Sequence, residues 1–387
     1  MFTSQHYRRF AQLETPFYYY DLALLEKTLQ VADLYASKYG FHIHYALKAN
    51  ANFEILQPIV KAGFGADCVS GNEVKRAVEA GFPPEKIVFA GVGKSDREIL
   101  IGLSENIFCF NVESIEELQV IDALAAQVGT TARLALRVNP LVEVNTHQYI
   151  TTGTAENKFG IPPRDFDSLL ALLPKLSHLQ IVGLHMHIGS QICQMNNFRD
   201  ACQKFNEIRR WFEQHGLHFA HLNVGGGLGV DYHHPDQNPI ADFENYFDTF
   251  NRYLERQPGQ QVHFELGRAL VAQCGSLITR VLYVKQGQTK HFAIVDAGMT
   301  ELIRPALYQA YHKIELLDPF HGNRSLQTYD IVGPVCESSD FLGKAITLPQ
   351  LQRGDLLAIR TAGAYGQVMA SAYNLRDKVP AIYENQP

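Results

Sequence analysis

Cysteine is sparse and unpatterned in this chain. Six occur in 387 residues, at positions 68, 109, 193, 202, 274 and 336, and no two form a C-x-x-C pair. That argues against a zinc ribbon or a disulfide-framed fold and fits a reduced, cytoplasmic protein. No apolar run approaches the length of a membrane span. The opening stretch, MFTSQHYRRF, lacks the apolar core of a secretory signal. Charge of one sign is missing too: the net charge is -6 with acids and bases interspersed, so the basic stripe that nucleic acid requires is not there. There is no internal repeat and no low-complexity segment. The remaining class is an enzyme-sized protein acting on a small molecule, with neither nucleic acid nor membrane as partner.

What is present is apolar material in short runs. Apolar residues make up 46% of the chain, enough for a large core. Eight runs recur: HIHYAL (42–47), GFGADCV (63–69), KIVFAG (86–91), IFCFNV (107–112), ARLALRV (132–138), IVGLHMH (181–187), HLNVG (221–225) and VHFEL (262–266). The first five are spaced at about 20 to 25 residues, the length of a compact βα unit. Between runs the pattern turns helical. In FRDACQKFNEIRRWFEQHG, Phe198, Cys202, Phe205, Ile208 and Phe212 form one stripe, and Gly216 stands where a C-cap glycine belongs. Ser114 with Glu117 opens the helix within NVESIEELQVIDALAAQVG as a capping-box pair. Eight strands alternating with helices predict an α/β fold, a (β/α)8 TIM barrel, with an open doubly wound sheet as the competing arrangement.

After residue 266 the texture changes. SLITRVLYVKQGQTKHFAIVDAG reads as two strands around a Gln-Gly-Gln turn, and DIVGPVCE, KAITLP and DLLAIRTAGAY add further short strands. The early run TPFYYYD (15–21) has strong β propensity and is expected to pair with this C-terminal region. The predicted organisation is a barrel over 22–266 and a β-rich domain made of 1–21 plus 267–387, with HHPDQNP (233–239) as a loop.

Catalytic groups of such barrels sit at the C-terminal ends of the strands. There the sequence places Lys48, Asp67, Ser70, Asn111, Arg137, Asn139, His185, His187, Gly225, Gly226, Gly227, Glu265 and Arg268. Any one of these is as easily a structural polar group, whereas their joint occurrence at corresponding places is harder to dismiss. The run NVGGGLGVDY fails as a dinucleotide fingerprint, because the third glycine position is Val230, but consecutive glycine amides can form an anion nest. His185 and His187, two apart on a strand, suit a pair of metal ligands, and a metal-dependent hydrolase is a real alternative. It would leave Lys48 and the glycine turn without roles. A partly neutral lysine can attack an aldehyde to form a Schiff base. A carboxylate facing a pyridine nitrogen keeps that ring protonated and electron-poor. Lys48, Glu265, an imidazole such as His187 and the glycine turn together meet the requirements of pyridoxal 5'-phosphate. The plainer role for Glu265 is an ion pair with Arg268.

From about residue 15 onward the sequence resembles the fold-type III pyridoxal-phosphate enzymes, alanine racemase-like in architecture, and among them the diaminopimelate decarboxylase family. YALKAN, GADCVSGNE, THQYITTG with NKFGI, HMHIGSQ, GGGLG, ELGR, RPALYQAYH, GPVCESSD and GAYG are similar to that family's motifs and occur in its order. The resemblance implies that Lys48 carries the cofactor and that Asp67, His187, Ser190, Gly226, Gly227, Glu265, Gly267, Arg268 and Tyr365 contact it. Arg268, Arg304, Tyr308, Glu337 and Tyr365 are implied to hold substrate, and Cys336 to return the proton to the α-carbon. Cys336 and Glu337 are implied to reach across a homodimer interface into the partner's site. No metal is assigned. Two positions depart from the family: Leu266 stands where proline is usual, and Asn72 where glycine is usual.

The activity implied is decarboxylation of meso-2,6-diaminopimelate to L-lysine and CO2, the last step of lysine biosynthesis. The distal end of that substrate is a zwitterion, which calls for a cation and an anion together. Arg268 and Arg304 suit its carboxylate and Glu337 its ammonium. Two alternatives stay open: a decarboxylase of another basic amino acid such as carboxynorspermidine, and a pyridoxal-phosphate carrier without turnover. A racemase would place a cation at the pyridine nitrogen, where this chain offers Glu265.

Overall fold

The computed structural model describes residues 2–140, 158–318, 322 and 324–385. The motif THQYITTG and Asn157 lie outside the described residues. Strand β1 is Phe17–Asp21. Eight strands follow: β2 (Phe41–Ala46), β3 (Gly65–Cys68), β4 (Ile87–Phe89), β5 (Cys109–Val112), β6 (Ala132–Arg137), β7 (Leu179–His185), β8 (His221–Asn223) and β9 (Gln261–Leu266). They form a closed barrel in sequence order. β2 pairs in parallel with β3 on one side and with β9 on the other, which closes the ring. The open doubly wound sheet is thereby set aside. Closure removes both sheet edges and lets short strands be buried along their length, as GADC and CFNV are.

The chain groups into two units. One, the barrel unit, is Leu29–Gly229 with Asp242–Gly267; the other holds the chain up to Thr28, Val230–Ala241 and the chain from Arg268 onward. Val230–Ala241 thus leaves the barrel stretch of sequence and joins the second unit. In that β-rich unit, β10 (Gly275–Gln286), β11 (His291–Val295), β12 (Ile314–Leu316), β13 (Leu326–Val332), β14 (Phe341–Pro349), β15 (Leu356–Ile359) and β16 (Ala381–Glu384) complete the strands. The sheet runs β12-β15-β10-β11-β13-β14, and β1 pairs antiparallel with β10 and parallel with β16. Phe10, Phe17, Tyr19, Ile278, Leu317, Leu356 and Ala358 form its buried cluster.

Local signals hold with adjustments. The helix Met195–Gln214 buries Phe198, Cys202, Phe205 and Phe212, and Gly216 follows at φ 84°. Ser114 caps its helix by accepting from the Glu117 amide at 3.2 Å. The expected reciprocal bond is displaced by one residue: the Glu117 carboxylate takes the amide of Glu113 at 2.7 Å, together with the buried ammonium of Lys94. Several strands end earlier than their apolar runs. β7 stops at His185, so His187 lies in the turn beyond it and the one-face argument for a metal pair fails. β13 stops at Val332, leaving Cys336 and Glu337 off the strand.

Near the N-terminal ends of the barrel strands, polar rings replace part of the apolar filling. His44 Nδ1 lies 3.0 Å from the Lys86 carbonyl, His44 Nε2 lies 2.9 Å from His263 Nδ1, and His263 Nε2 lies 3.1 Å from His221 Nδ1. A carbonyl only accepts, so His44 carries its proton on Nδ1 and accepts on Nε2. His263 then donates from Nδ1, and His221 donates to His263. Every ring is fixed as one neutral tautomer. Burial pushes His44 down to about 4 and His263 well below its ordinary value. His42, stacked on His263, and Phe108, edge-on to His221, close the cluster.

These rings refuse protons that the unfolded chain accepts below about pH 6.5, so they lower stability as pH falls from about 6.5 toward about 4. His263→Gln keeps a donor and an acceptor but cannot titrate there. The variant is expected to show a shallower loss of Tm between pH 6.5 and 4.5 than the parent in differential scanning calorimetry. An identical slope would remove the histidine chain as a source of acid sensitivity.

Candidate active site

Lys48 lies just past the end of β2, in the single 3-10 turn Leu47–Ala49. The strand run therefore ends at Ala46, and the turn carries the lysine over the mouth of the barrel. Its Nζ donates to Asp67 Oδ2 at 3.3 Å, and 40% of the side chain is exposed, against none of Asp67. Asp67, on β3, is pushed up to about 7: burial is the larger cause, the charge of Glu265 adds to it, and Lys48 opposes both. Its Oδ1 is buried with no hydrogen-bond partner.

Glu265, on β9, is also buried yet shifts the other way. Burial alone would raise it, but His185 and then Lys48 outweigh burial and hold it ionised. The geometry explains the outcome. Oε1 accepts from Asn111 Nδ2 and from Asn223 Nδ2, both at 2.8 Å, and Oε2 lies 3.2 Å from His185 Nε2. Three donors from β5, β7 and β8 saturate one carboxylate, as a buried charge requires. Its charge is accounted for without an arginine, so the plainer ion-pair role is not needed. Asn223 was not singled out in the sequence; its signal was its place at the end of β8, equivalent to that of Asn111 on β5.

The two histidines of HMHIGSQ have different tasks. His185 serves Glu265. His187 Nδ1 accepts the Gly226 amide at 3.2 Å, and burial, helped by Arg137, pushes the ring down to about 3, so it is neutral at pH 7. Among the described residues, no group of three or more His, Cys, Asp or Glu is placed to hold a metal ion.

The glycine run is needed for close backbone approach. A Cβ on Gly225 would come 2.5 Å from the Met186 carbonyl, and one on Gly227 would come 2.6 Å from the Gly189 carbonyl. One on Gly226 would collide with the Glu265 carbonyl. Gly225 and Gly227 also have φ values of 68° and 105°. The nest is narrower than the run suggests: the Gly225 amide donates to Asn223 Oδ1 at 2.9 Å and the Gly226 amide to His187. Ser190 follows Gly189 in the turn beside this run. Gly267 lies against Lys48's own turn, its missing Cβ 3.0 Å from Ala49 and 3.2 Å from Ala46.

Other strand-end residues are scaffolding. Ser70 caps the helix Gly71–Ala80. Arg137 donates to Glu113 at 2.7 Å, and Glu113 also takes the amides of Gly91 and Gly160, while the Asn139 amide meets the Ile161 carbonyl. Asn72 is an exposed residue in the first turn of a right-handed helix, so the left-handed tolerance of asparagine is not called upon. Leu266 ends β9 opposite Tyr45 and is buried.

The β-rich unit brings together a second set. Arg268 and Arg304 both donate to the Tyr232 hydroxyl, at 2.6 and 2.8 Å. The Arg268 guanidinium stands 5.0 Å from the Tyr365 ring centre. Arg304 also meets His312 Nε2 at 3.2 Å, and His312 Nδ1 donates to the Arg360 carbonyl at 2.9 Å. Tyr308, half-buried on the helix that Arg304 opens, adds to the field at Arg268. Tyr232 and His312 were missed in the sequence: one sits in an unstructured stretch and the other lies eight residues past Arg304, with no spacing to mark them. Cys336 and Glu337 are exposed in a turn. Asn374 holds Cys336, with its Oδ1 accepting the amide at 3.3 Å, and the Tyr373 hydroxyl donates to Glu337 at 2.6 Å.

A family model described as pyridoxal-dependent decarboxylase, pyridoxal binding domain, matches residues 24–272. A diaminopimelate decarboxylase of Bacteroides thetaiotaomicron is 54% identical over 370 residues, covering 95% of this chain and 95% of that one. One of Vibrio cholerae is 44% identical over 371 residues, covering 96% and 88%. Among solved structures, diaminopimelate decarboxylase of Helicobacter pylori complexed with L-lysine matches at a TM-score of 0.89 and 39% identity, covering 98% of this chain and 94% of that one.

Asn223→Leu leaves Glu265 with two of its three donors. Urea denaturation at pH 7.5 is expected to show a loss of about 1–3 kcal/mol. A variant as stable as the parent would mean that the amide does not support the buried charge.

Proposed function

The chain belongs to the pyridoxal-dependent decarboxylases, and from that premise we infer that it converts meso-2,6-diaminopimelate to L-lysine and CO2, the last step of lysine biosynthesis. Its cofactor is pyridoxal 5'-phosphate. The barrel residues fit that group. An amine, an ionised carboxylate, a neutral imidazole and a glycine cradle that any Cβ would fill are gathered at one mouth, with a buried orphan oxygen on Asp67.

When bound, the cofactor supplies a carbonyl for amines and an electron-poor ring that accepts the pair left when CO2 departs. Lys48 is the residue that would hold the carbonyl carbon. Glu265, kept ionised by Asn111, Asn223 and His185, would keep a proton on the ring nitrogen. His187, kept neutral by burial, would cover the ring without adding charge. Asp67 offers Lys48 a carboxyl that burial raises above the ordinary carboxylate range. Gly226, Gly227, Ser190 and Gly267 would take the phosphate, and Arg268 and Tyr365 are the further residues proposed to hold the cofactor. Cys336 is the acid that would protonate the α-carbon, and its exposed thiol, held by Asn374, is accessible for that task.

One observation carries the choice of substrate: Arg268 and Arg304 share a single phenolic oxygen in a buried cluster. A substrate ending in a bare ammonium has no use for two guanidiniums, whereas a distal carboxylate does. Tyr308 joins this set, and Glu337 supplies the anion for the distal ammonium.

The chain acts as a homodimer in which Cys336 and Glu337 serve the partner's site. Exposed apolar side chains beside them support this: Tyr373 at 46% and Leu375 at 96%. Six cysteines with no disulfide among them support a reducing compartment, the cytoplasm.

Incubation of the purified protein with meso-diaminopimelate and pyridoxal phosphate is expected to release CO2 and L-lysine. Lys48→Ala is expected to lose both the product and the borohydride-reducible absorbance of the bound cofactor. Arg304→Ala is expected to lower kcat/KM by about 3–5 kcal/mol of transition-state binding, as for a buried charge pair left half-made. An unchanged kcat/KM in that variant would remove Arg304, and with it the choice of substrate.

A further inference from the structure

We propose that Tyr232 is the positioning residue for the distal carboxylate of the substrate: its hydroxyl aligns Arg268 and Arg304 as a paired anion receptor and thereby sets selectivity for a dicarboxylate. The proposal rests on the substrate assignment above and deepens it.

The two guanidiniums are like charges, both buried, and they converge on one oxygen at 2.6 and 2.8 Å. Like charges this close repel unless an acceptor lies between them. The phenolic oxygen is that acceptor, and the ring adds a face to Arg304, whose guanidinium carbon lies 5.1 Å from its centre. Arg304 is 6% exposed, and among the described residues its side chain meets only this phenol and His312, with no carboxylate. His312 brings no anion. Its Nδ1–H is committed to the Arg360 carbonyl, so Nε2 accepts from Arg304, and burial followed by Arg304 itself pushes the ring down to about 3. A buried guanidinium held only by neutral acceptors is a cation prepared for an anionic ligand. The same geometry fixes its spacing from Arg268, because both must reach one atom.

The arrangement has a built-in competitor. Burial alone would raise Tyr232, but Arg268 and Arg304 outweigh burial and draw it below its ordinary value. Among the described residues, Arg268, Arg304 and His312 are the titratable groups that touch it, and Tyr365 touches Arg268 in turn. As pH rises, the phenol becomes a phenolate that competes for both guanidiniums, so the KM for a carboxylate-bearing substrate rises. A hydroxyl with a merely structural role gives no such limb.

The test uses the pyridoxal-phosphate-loaded enzyme. Tyr232→Phe is expected to raise KM for meso-diaminopimelate about tenfold at pH 7.5, with kcat within about twofold, because the lost hydrogen bonds act on binding. It is also expected to abolish the alkaline rise in KM. Incorporation of 3,5-difluorotyrosine at position 232 keeps ring and hydroxyl while making the phenol more acidic, and it is expected to shift that rise to lower pH. An unchanged KM in Tyr232→Phe, or equal losses in kcat and Tm without a KM change, would overturn the proposal. Should that variant not fold, an alkaline rise unmoved by difluorotyrosine overturns it instead. Loss of kcat/KM in Arg304→Ala alongside a normal Tyr232→Phe would leave the substrate assignment standing and remove only Tyr232. No loss in Arg304→Ala would remove both.

Discussion

The buried negative charge of Glu265 is the constraint on which the barrel mouth depends. A carboxylate with no water beside it takes up a proton unless donors surround it. Here the donors come from β5, β7 and β8, separated from Glu265 by 154, 80 and 42 residues along the chain. Only a closed barrel brings strand ends so distant in sequence onto one side chain. The same charge acts outward. It adds to burial in raising Asp67, so the carboxyl beside Lys48 is held above the ordinary carboxylate range. Two carboxylates at one mouth thus hold protons differently because their surroundings differ, and this divides the labour between holding an amine and holding a ring nitrogen.

The β-rich unit solves a different electrostatic problem, with cations in place of anions. There two guanidiniums are organised by neutral groups, a phenol and an imidazole, whose tautomer is set by a backbone carbonyl. Neutral organisers leave the net positive charge intact. The barrel does the reverse, surrounding an anion with amides and an imidazole and leaving the negative charge intact.

Much of this was legible in the sequence, and the reasons are local. Eight apolar runs, the first five at βα spacing, pointed to the barrel because strand and helix periods differ enough to read. Lys48, Glu265 and the glycines stood out because they occupy strand ends, and because glycine has no other reason to occur three times in succession. Legibility failed where a residue matters through a partner far away in sequence. Tyr232, His312 and Asn374 have no spacing relation to the groups they hold, and Asn223 is marked only by its place at the end of β8. The alternative reading of His185 and His187 as a metal-ligand pair falls for a geometric reason, since β7 ends between them. The glycine turn offers fewer open amides than its sequence suggests, because those of Gly225 and Gly226 are taken by Asn223 and His187. Leu266 and Asn72, conspicuous against the family pattern, occupy a buried strand end and an exposed helical turn that accommodate them without distortion.

The histidine chain beneath the barrel has a direction: each ring gives to the next and none receives from both sides. Reversing one ring strands a donor against a donor, so His221, His263 and His44 cannot drift independently through substitution. Exchange of a single member for an apolar side chain leaves its neighbour's polar atom buried and unanswered, whereas wholesale replacement of the trio by well-packed hydrocarbon need not. The three positions act as one unit, and an apolar side chain at any one of them is expected only together with exchange of its neighbours.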